Sequence, residues 1–350
     1  LVDSAYYSVT QIILAALFYD HADSYFRLPK TRGLNPMPSS LRWRKWLTII
    51  FSLLAVGFFI QYAVQNFDKV PPLNMSGGSV IVGLFSVALV VISIGIVGMI
   101  WYLLLRDHAL LISYRQTQRI FAIAQFGKYL PGNVGQHIGR VVMARDIGIP
   151  VPIILNTMLV EMLWGAGIAA GLALLALLFV IDEQVTGLQL QLDPMQLGLG
   201  GSILLCTPWL GIAFLNKCMP RLAKRLSGDV ITAPRFGTAL IVAILFLLCF
   251  VIMGLILKLQ AHWFFCVNEG SLFELTCLFS IAWLAGYLVP GAPGGLGVRE
   301  GMMVFLLSPV LGVGASVGLG VTLRMTTTIG DAMAFLIGLW MSRRLLAQEQ

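Results

Sequence analysis

Long apolar segments separated by short polar stretches make up most of the chain. Eight segments are candidates for membrane spans, at approximately residues 47–66, 79–105, 151–180, 197–216, 236–258, 272–289, 301–318 and 319–342. A helix needs about 20 mostly apolar residues to cross the hydrocarbon core of a bilayer. The pattern therefore predicts an all-α polytopic membrane protein with about eight transmembrane helices.

Residues 106–150 interrupt this pattern, because they are too polar to span a membrane and too apolar for an ordinary loop. Apolar residues from Ile120 to Leu130 recur at helical spacing and stop at Pro131-Gly132, a strong helix breaker. The spacing predicts a short helix at the interface or dipping into the membrane. A second Pro-Gly pair, Pro290-Gly291, predicts another broken or re-entrant segment.

Composition and charge support a membrane location. Hydrophobic residues make up 58% of the 350 residues and charged residues only 11%, against about 25% charged in soluble domains. The net charge of +7 comes from Lys and Arg in short loops, so it indicates topology and not a nucleic-acid partner. The basic loops predict an inner-membrane protein with a cytoplasmic C-terminus.

The chain divides into two predicted regions. Residues 1–45 combine a short apolar stretch with a basic segment rich in Trp and Arg, which predicts an interfacial, amphipathic extension. Residues 46–345 form the transmembrane domain. Within it, PGNVGQHIGR from Pro131 recurs as PGAPGGLGVR from Pro290, with Pro, Gly, Gly and Arg at identical offsets. This weak internal repeat predicts two halves, at about 79–216 and 236–342, like those of transporters with broken helices.

The repeated motif carries residues suited to an anion. Broken backbone at membrane depth occurs only where it lines a cavity, and glycines allow an anion to approach backbone N–H groups. Arg140 and Arg299 are predicted to clamp phosphate oxygens, and a lipid phosphate is the expected ligand. The candidate substrate-binding residues around the two motifs are Lys128, Tyr129, Pro131, Gly132, His137, Arg140, Pro290, Gly291, Gly294, Gly295, Arg299 and Glu300. The alternative is a pair of ordinary cytoplasmic loops, with Glu300 as a helix cap.

Three ionisable residues lie inside predicted spans: Glu161, Arg324 and Asp331. Such residues are costly in a membrane and usually face a cavity or a partner, so they join the candidate binding residues. Arg324, Thr328 and Asp331 share one helical face. Glu161 and Arg324 occupy comparable places in the two halves, so an ion pair between them is expected, with either a structural or a transport role.

Enzymatic and metal-binding motifs are missing from the sequence. No GxxxxGK[ST] or HExxH motif occurs, and the five cysteines show no metal-ligand spacing. The sequence therefore predicts no catalytic residues, no metal and no cofactor.

The segments GKYLPGNVGQHIGR and GYLVPGAPGGLGVREG, with Glu161 and an Arg-bearing last helix, resemble the lysylphosphatidylglycerol synthase transmembrane-region family, also described as flippase-like. The resemblance covers about residues 45–342. It implies lipid translocation, with the Pro-Gly loops and the charged helix residues lining the path. The soluble aminoacyl-transferase domain of the multiple peptide resistance factor is not in this sequence, so aminoacylation is not implied.

The leading hypothesis is therefore a flippase for an anionic phospholipid or a polyprenyl-phosphate-linked sugar. One alternative is a non-transporting subunit that scaffolds a glycosyltransferase or a lipid-modifying synthase. Another is an integral-membrane enzyme acting on lipid phosphates, which would need a cluster of acid, base or nucleophile at one depth. The lipid, the energy source and the oligomeric state stay open.

Overall fold

A computed structural model describes residues 74, 76–129, 135–180, 208–221, 223, 231–289, 295 and 297–346. Helices dominate these ranges, and no strand occurs in them. The α-helices whose bounds are defined within these ranges are α1 Gly77–Asp107, α2 Tyr114–Gln125, α3 Gly135–Asp146, α4 Val151–Phe179, α5 Phe236–Phe265, α6 Leu272–Leu288, α7 Val298–Leu311 and α8 Val313–Leu346, with a 3-10 helix at Phe126–Tyr129 between α2 and α3. The predicted extension at residues 1–45 lies outside the described residues.

Three helices of the described chain, α1, α4 and α5, are long and apolar enough to cross a membrane, and α6 is a shorter apolar helix. Large apolar side chains on the outer faces of α1 and α5 are exposed, among them Ile81, Leu84 and Ile244. A soluble protein rarely leaves so many large apolar side chains in contact with water. The chain is therefore a multi-pass membrane protein.

The predicted spans agree with the helices except near the C-terminus. The segments 79–105, 151–180, 236–258 and 272–289 coincide with α1, α4, α5 and α6. The predicted span 47–66 lies outside the described residues, as does the first part of 197–216, whose remainder is helical. The predicted boundary between 301–318 and 319–342 is wrong.

The helix break in this region lies at Gly312, between α7 and α8. Gly312 has φ 80°, a left-handed conformation that costs glycine little and ends α7. As a result α7 has 14 residues, which at 1.5 Å per residue are too few to span the hydrocarbon core, and α8 has 34.

The predicted short helix before Pro131 is confirmed as α2 and the 3-10 helix that continues it. Ser113 caps α2, because its hydroxyl accepts from the Gln116 backbone N–H while the Gln116 side chain accepts from Ser113 N–H. Helix α6 begins in the same way, with Ser271 and Glu274 as the reciprocal pair.

Helix contacts bring the two ends of the described chain together. Helix α1 packs against α5, α2 packs against α8, and α4 packs against α6. Of the short helices, α3 packs on α2 and α7 packs on α6. This arrangement leaves the polar residues of α3, α4, α7 and α8 near the middle of the bundle, where they border a cavity.

Candidate binding cavity

A cavity of about 290 Å³ lies between the helices of the bundle. One part of its wall is apolar and comes from α1, α5 and α6, with Ile94, Phe250 and Phe279 among the lining residues. The other part is polar and comes from the 3-10 helix and from α3, α4, α7 and α8. A mostly apolar pocket with a few convergent polar groups is typical of a ligand site.

Most candidate residues in the described part of the chain meet at this cavity. Those that line it are Lys128, Tyr129, His137, Arg140, Glu161, Gly295, Arg299, Arg324 and Asp331. Glu300 does not line the cavity but contacts two residues that do. Pro131, Gly132, Pro290, Gly291 and Gly294 lie outside the described residues.

Arg140 and Glu161 form a closed ion pair. Both terminal nitrogens of Arg140 donate to the Glu161 carboxylate, at 3.0 Å and 2.6 Å, in bidentate geometry. The guanidinium also lies 4.2 Å from the centre of the Trp101 ring and 4.9 Å from that of Phe121. Of the three guanidinium nitrogens of Arg140, only Nε lacks a hydrogen-bond partner among the described residues.

Lys128 and Tyr129, on the 3-10 helix, both contact Asp331 on α8. The Lys128 ammonium lies 2.7 Å from both oxygens of the Asp331 carboxylate, and the Tyr129 hydroxyl donates to Oδ2. Asp331 is only 1% exposed, so both contacts compensate a fully buried charge. The Tyr129 hydroxyl also reaches Thr328, and Arg324 lies over the Tyr129 ring, which confirms that Arg324, Thr328 and Asp331 share one face of α8.

Arg299 and Arg324 share one carboxylate. Each guanidinium donates to Oε1 of Glu300, Arg299 from 3.3 Å and Arg324 from 3.4 Å. The second oxygen of Glu300 accepts the backbone N–H of Gly297 at 2.8 Å, so this carboxylate also caps α7, as the alternative interpretation expected. Arg299 Nε is buried and has no partner among the described residues.

The expected ion pair between Glu161 and Arg324 is wrong. Glu161 is paired with Arg140, and Arg324 contacts the carboxylate of Glu300. The pairing depends on how α3 folds back along α4 and on how α7 packs beside α8, which sequence positions within the repeat do not specify.

Two glycines allow the short helices to approach their neighbours closely. A Cβ at Gly127 would lie 2.6 Å from backbone atoms of Gly135 and Gln136, at the start of α3. A Cβ at Gly286 would lie 3.0 Å from Cβ of Arg299 and 3.4 Å from Cα of Gly295. Each glycine therefore sets the distance between the two helices that flank a Pro-Gly segment.

Sequence reasoning missed the aromatic residues that complete the cavity. Trp283 and Tyr287 stack with ring centres 4.9 Å apart, and Trp283 meets Phe250 edge-on. They lie four residues apart on α6, one turn before the second Pro-Gly pair. The spacing of four residues between these two aromatic residues, within an apolar segment that has polar ends, is the feature of the sequence that could have indicated their contact.

The cavity suits the electrostatic binding of an anion. Each of the three carboxylates at the cavity accepts from a cation. The fold and the cavity define a multi-pass, all-helical membrane protein with a charged internal site. The family model "Lysylphosphatidylglycerol synthase TM region" matches residues 45–330, and the chain belongs to that family. Comparison with curated protein sequences gives no significant match.

Proposed function

We propose that this chain binds lipids with an anionic phosphate group in the central cavity and moves them across the cytoplasmic membrane. The observation that carries the proposal is the meeting of Lys128, Arg140, Arg299 and Arg324 at one cavity inside a membrane protein. Ionisable residues within a bundle usually line the path of a polar substrate. The family, a membrane region associated with lipid modification, supports a lipid substrate.

The cavity offers both parts of a lipid a suitable surface. Guanidinium groups bind phosphate oxygens well, and Arg299 extends from the first turn of α7, where the helix dipole also favours an anion. The aromatic and aliphatic wall from α1, α5 and α6 can contact apolar groups next to the phosphate. We assign phosphate binding to Arg299 and Arg324, and we assign Arg140 to positioning, because Glu161 already occupies both of its terminal nitrogens.

We further propose that the two halves of the domain are related by an internal repeat. Support comes from the matching Pro-Gly motifs, from the capping boxes that begin α2 and α6, and from the reciprocal packing of α2 on α8 and α4 on α6. Transporters built in this way place the substrate between their halves. The loop charges support a cytoplasmic C-terminus.

The test is leaflet exchange in vesicles that contain the purified protein. Fluorescent phosphatidylglycerol, cardiolipin and a polyprenyl phosphate would be compared for wild type, Arg299→Ala and Arg145→Ala. Arg145 is the matched control, because it lies on α3 in an exposed pair with Asp146. We expect wild type and Arg145→Ala to accelerate exchange of at least one anionic lipid, and Arg299→Ala to lose most of the acceleration.

Failure of the folded wild type to move any lipid above the rate of empty vesicles would contradict autonomous transport. The scaffold hypothesis would then replace it, with a glycosyltransferase or synthase as the partner. The lipid recovered from the vesicles should also be chemically unchanged by mass spectrometry, because conversion of the lipid would indicate a membrane enzyme.

A further inference from the structure

One end of the helix bundle holds both ends of the α2–α3 pair. Asp107, the last residue of α1, accepts the backbone N–H of Arg235 at 2.8 Å, just before α5 begins. Asn156, near the start of α4, donates to the Thr232 hydroxyl at 2.8 Å. Helix α2 begins just after α1 ends, and α3 ends just before α4 begins, so both lie at this end. The basic loops lie here too, which makes this end the proposed cytoplasmic face.

The other end of the bundle holds both ends of the α6–α7 pair. Asn74, just before α1, donates its backbone N–H to the carbonyl of Phe264, near the end of α5, at 3.0 Å. A Cβ added at Gly270, just before α6, would lie 3.3 Å from Cδ2 of Leu311, the last residue of α7. Helix α6 thus begins, and α7 ends, at the face opposite to the basic loops.

The cavity lies halfway along the long helices. Each of them lines it with a residue near its midpoint: Ser93 on α1, Gly165 on α4, Phe250 on α5 and Thr327 on α8. Because long apolar helices cross the hydrocarbon core from face to face, their midpoints mark the centre of the bilayer. The cavity is therefore near that centre.

The short helices meet this central cavity at their inner ends. Tyr129 ends the 3-10 helix after α2 and Gln136 lies at the start of α3, whereas Tyr287 is near the end of α6 and Arg299 near the start of α7, and all four line the cavity. Helices α3 and α7 have 12 and 14 residues, about 18 and 21 Å at 1.5 Å per residue, against about 30 Å for the core. Each pair therefore enters from one face, turns near the centre and returns to the same face.

The contacts between helices are repeated when the two halves are exchanged. The exchange replaces α1 with α5, α2 with α6, α3 with α7 and α4 with α8. It converts the packing of α2 on α8 into that of α6 on α4, of α1 on α8 into that of α5 on α4, and of α1 on α2 into that of α5 on α6. Equivalent helices run in opposite directions, because α1 ends at the face where α5 begins. Halves of this kind are related by an axis in the membrane plane.

From this arrangement we infer that each half is a span, a re-entrant hairpin and a second span, that the halves are inverted, and that each hairpin gates the cavity on the face from which it enters. The gating rests on the proposed function, because transport requires access from both faces. The first hairpin, α2–α3, packs on α8, and Lys128 and Tyr129 contact Asp331 there. The second hairpin, α6–α7, packs on α4. Separation of α2 from α8 opens the cavity to the cytoplasm, and separation of α6 from α4 opens it to the outer face.

The first measurement is the depth of the second hairpin in the bilayer. Leu288, at the inner end of α6, is 66% exposed, so Leu288→Cys in a chain without native cysteines can carry a nitroxide label. Electron paramagnetic resonance would compare its access to oxygen and to a water-soluble nickel chelate. We expect oxygen to dominate, and we expect the reverse for the control Leu111→Cys, which is fully exposed between α1 and α2. Preferential access of nickel to Leu288→Cys would overturn the re-entrant topology and favour two cytoplasmic loops.

The second measurement fixes one hairpin and monitors the cavity. Cys249 lines the cavity and is the reporter, with the other native cysteines replaced by alanine. Ala122→Cys with Gly338→Cys would join α2 to α8, since Cβ of Ala122 lies 3.2 Å from a Cβ added at Gly338. Ala124→Cys with Gly139→Cys is the matched control, because its corresponding distance is 3.4 Å and it joins α2 only to α3 of the same hairpin. Both distances are close to the Cβ–Cβ separation of a disulfide, about 3.8 Å.

The readout is labelling of Cys249 by a membrane-impermeant maleimide added to one side of vesicles with uniformly oriented protein, measured by mass spectrometry. Before crosslinking, we expect labelling from both faces. Crosslinked Ala122→Cys/Gly338→Cys should lose the labelling from the cytoplasmic face and retain that from the outer face, and reduction should restore the first. The crosslinked control should retain both.

Three results would overturn the gating: cytoplasmic labelling that survives the crosslink between α2 and α8, loss of labelling from the outer face instead, or no labelling from either face before crosslinking. Because no lipid substrate is measured, failure of this inference is distinguishable from failure of transport. Sided labelling without lipid exchange would support the inference and contradict the proposed function. Lipid exchange that continues unchanged in crosslinked Ala122→Cys/Gly338→Cys would contradict the inference and leave the proposed function standing.

Discussion

The two arginines at equivalent positions of the Pro-Gly motifs have different surroundings. Arg140 has one carboxylate to itself, in bidentate contact, and its guanidinium lies between two aromatic rings. Arg299 shares a carboxylate with Arg324, at longer distances, and that carboxylate also caps a helix. The same residue at the same offset of the motif thus forms a closed pair in one case and shares a carboxylate with a second arginine in the other. We therefore expect Arg140 to stabilise the fold and Arg299 to contact a ligand.

The largest expected effect on stability is at the closed pair. Arg140→Ala leaves Glu161 buried without its cation, and we expect a loss of about 3–5 kcal/mol in unfolding free energy. Unfolding of the purified protein in nanodiscs would measure it. The double variant Arg140→Met/Glu161→Met should recover most of the loss, because it removes both charges. A loss no greater than that of Arg145→Ala would contradict the assignment.

Lys128→Met should have a smaller effect than Arg140→Ala. Asp331 loses its cation but keeps the hydrogen bond from Tyr129, so we expect a loss of about 2–3 kcal/mol. Asp331→Asn in the Lys128→Met background should restore part of this loss, because it removes the buried negative charge. If the second substitution lowers stability further, the carboxylate is not compensated mainly by Lys128.

The close contacts of Gly127 and Gly286 should also contribute to stability, because no side chain fits between the packed helices at these positions. We expect Gly127→Ala and Gly286→Ala to lose about 1–3 kcal/mol each, with Gly127→Ala at the upper end because backbone atoms obstruct its Cβ. Gly211→Ala is the control, since no atom lies within 4 Å of its added Cβ. Thermal unfolding of the three variants would rank them. The opposite order for Gly127 and Gly286 would contradict the packing of the short helices.

Arg299→Ala should have the smallest effect on stability. Glu300 retains Arg324 and Gly297 N–H, so we expect a loss of about 1 kcal/mol or less. Binding of phosphatidylglycerol should nevertheless fall by about tenfold or more. A loss of stability as large as that of Arg140→Ala would show that the two arginines do not differ in role.

The sequence predicts much of this molecule because its main signals are local. Apolar length locates α1, α4, α5 and α6, and a helix breaker locates the end of the 3-10 helix. The helical face of Arg324 and Asp331 follows from spacing alone. The break at Gly312 was missed because glycines are frequent on both sides of it, so composition does not indicate which one leaves the helical conformation.

Contacts between distant residues could not be predicted in this way. Glu161 and Arg140 are 21 residues apart, and Lys128 and Asp331 are 203 apart. Their pairing depends on the packing of α3 against α4 and of α2 against α8. The candidate residues were predicted from their types, whereas the difference between Arg140 and Arg299 emerges only from the tertiary structure.

Photo-crosslinking of the lipid head group would show where in the protein the head group binds. A phosphatidylglycerol with a photoreactive group on its head-group glycerol would be activated in vesicles that contain the full chain, and the labelled peptides would be identified by mass spectrometry. We expect labels on cavity residues of α6 and α7, such as Trp283 and Arg299, and we expect unlabelled phosphatidylglycerol to suppress them. Labels confined to outward-facing residues such as Ile81 and Ile244 would contradict this expectation.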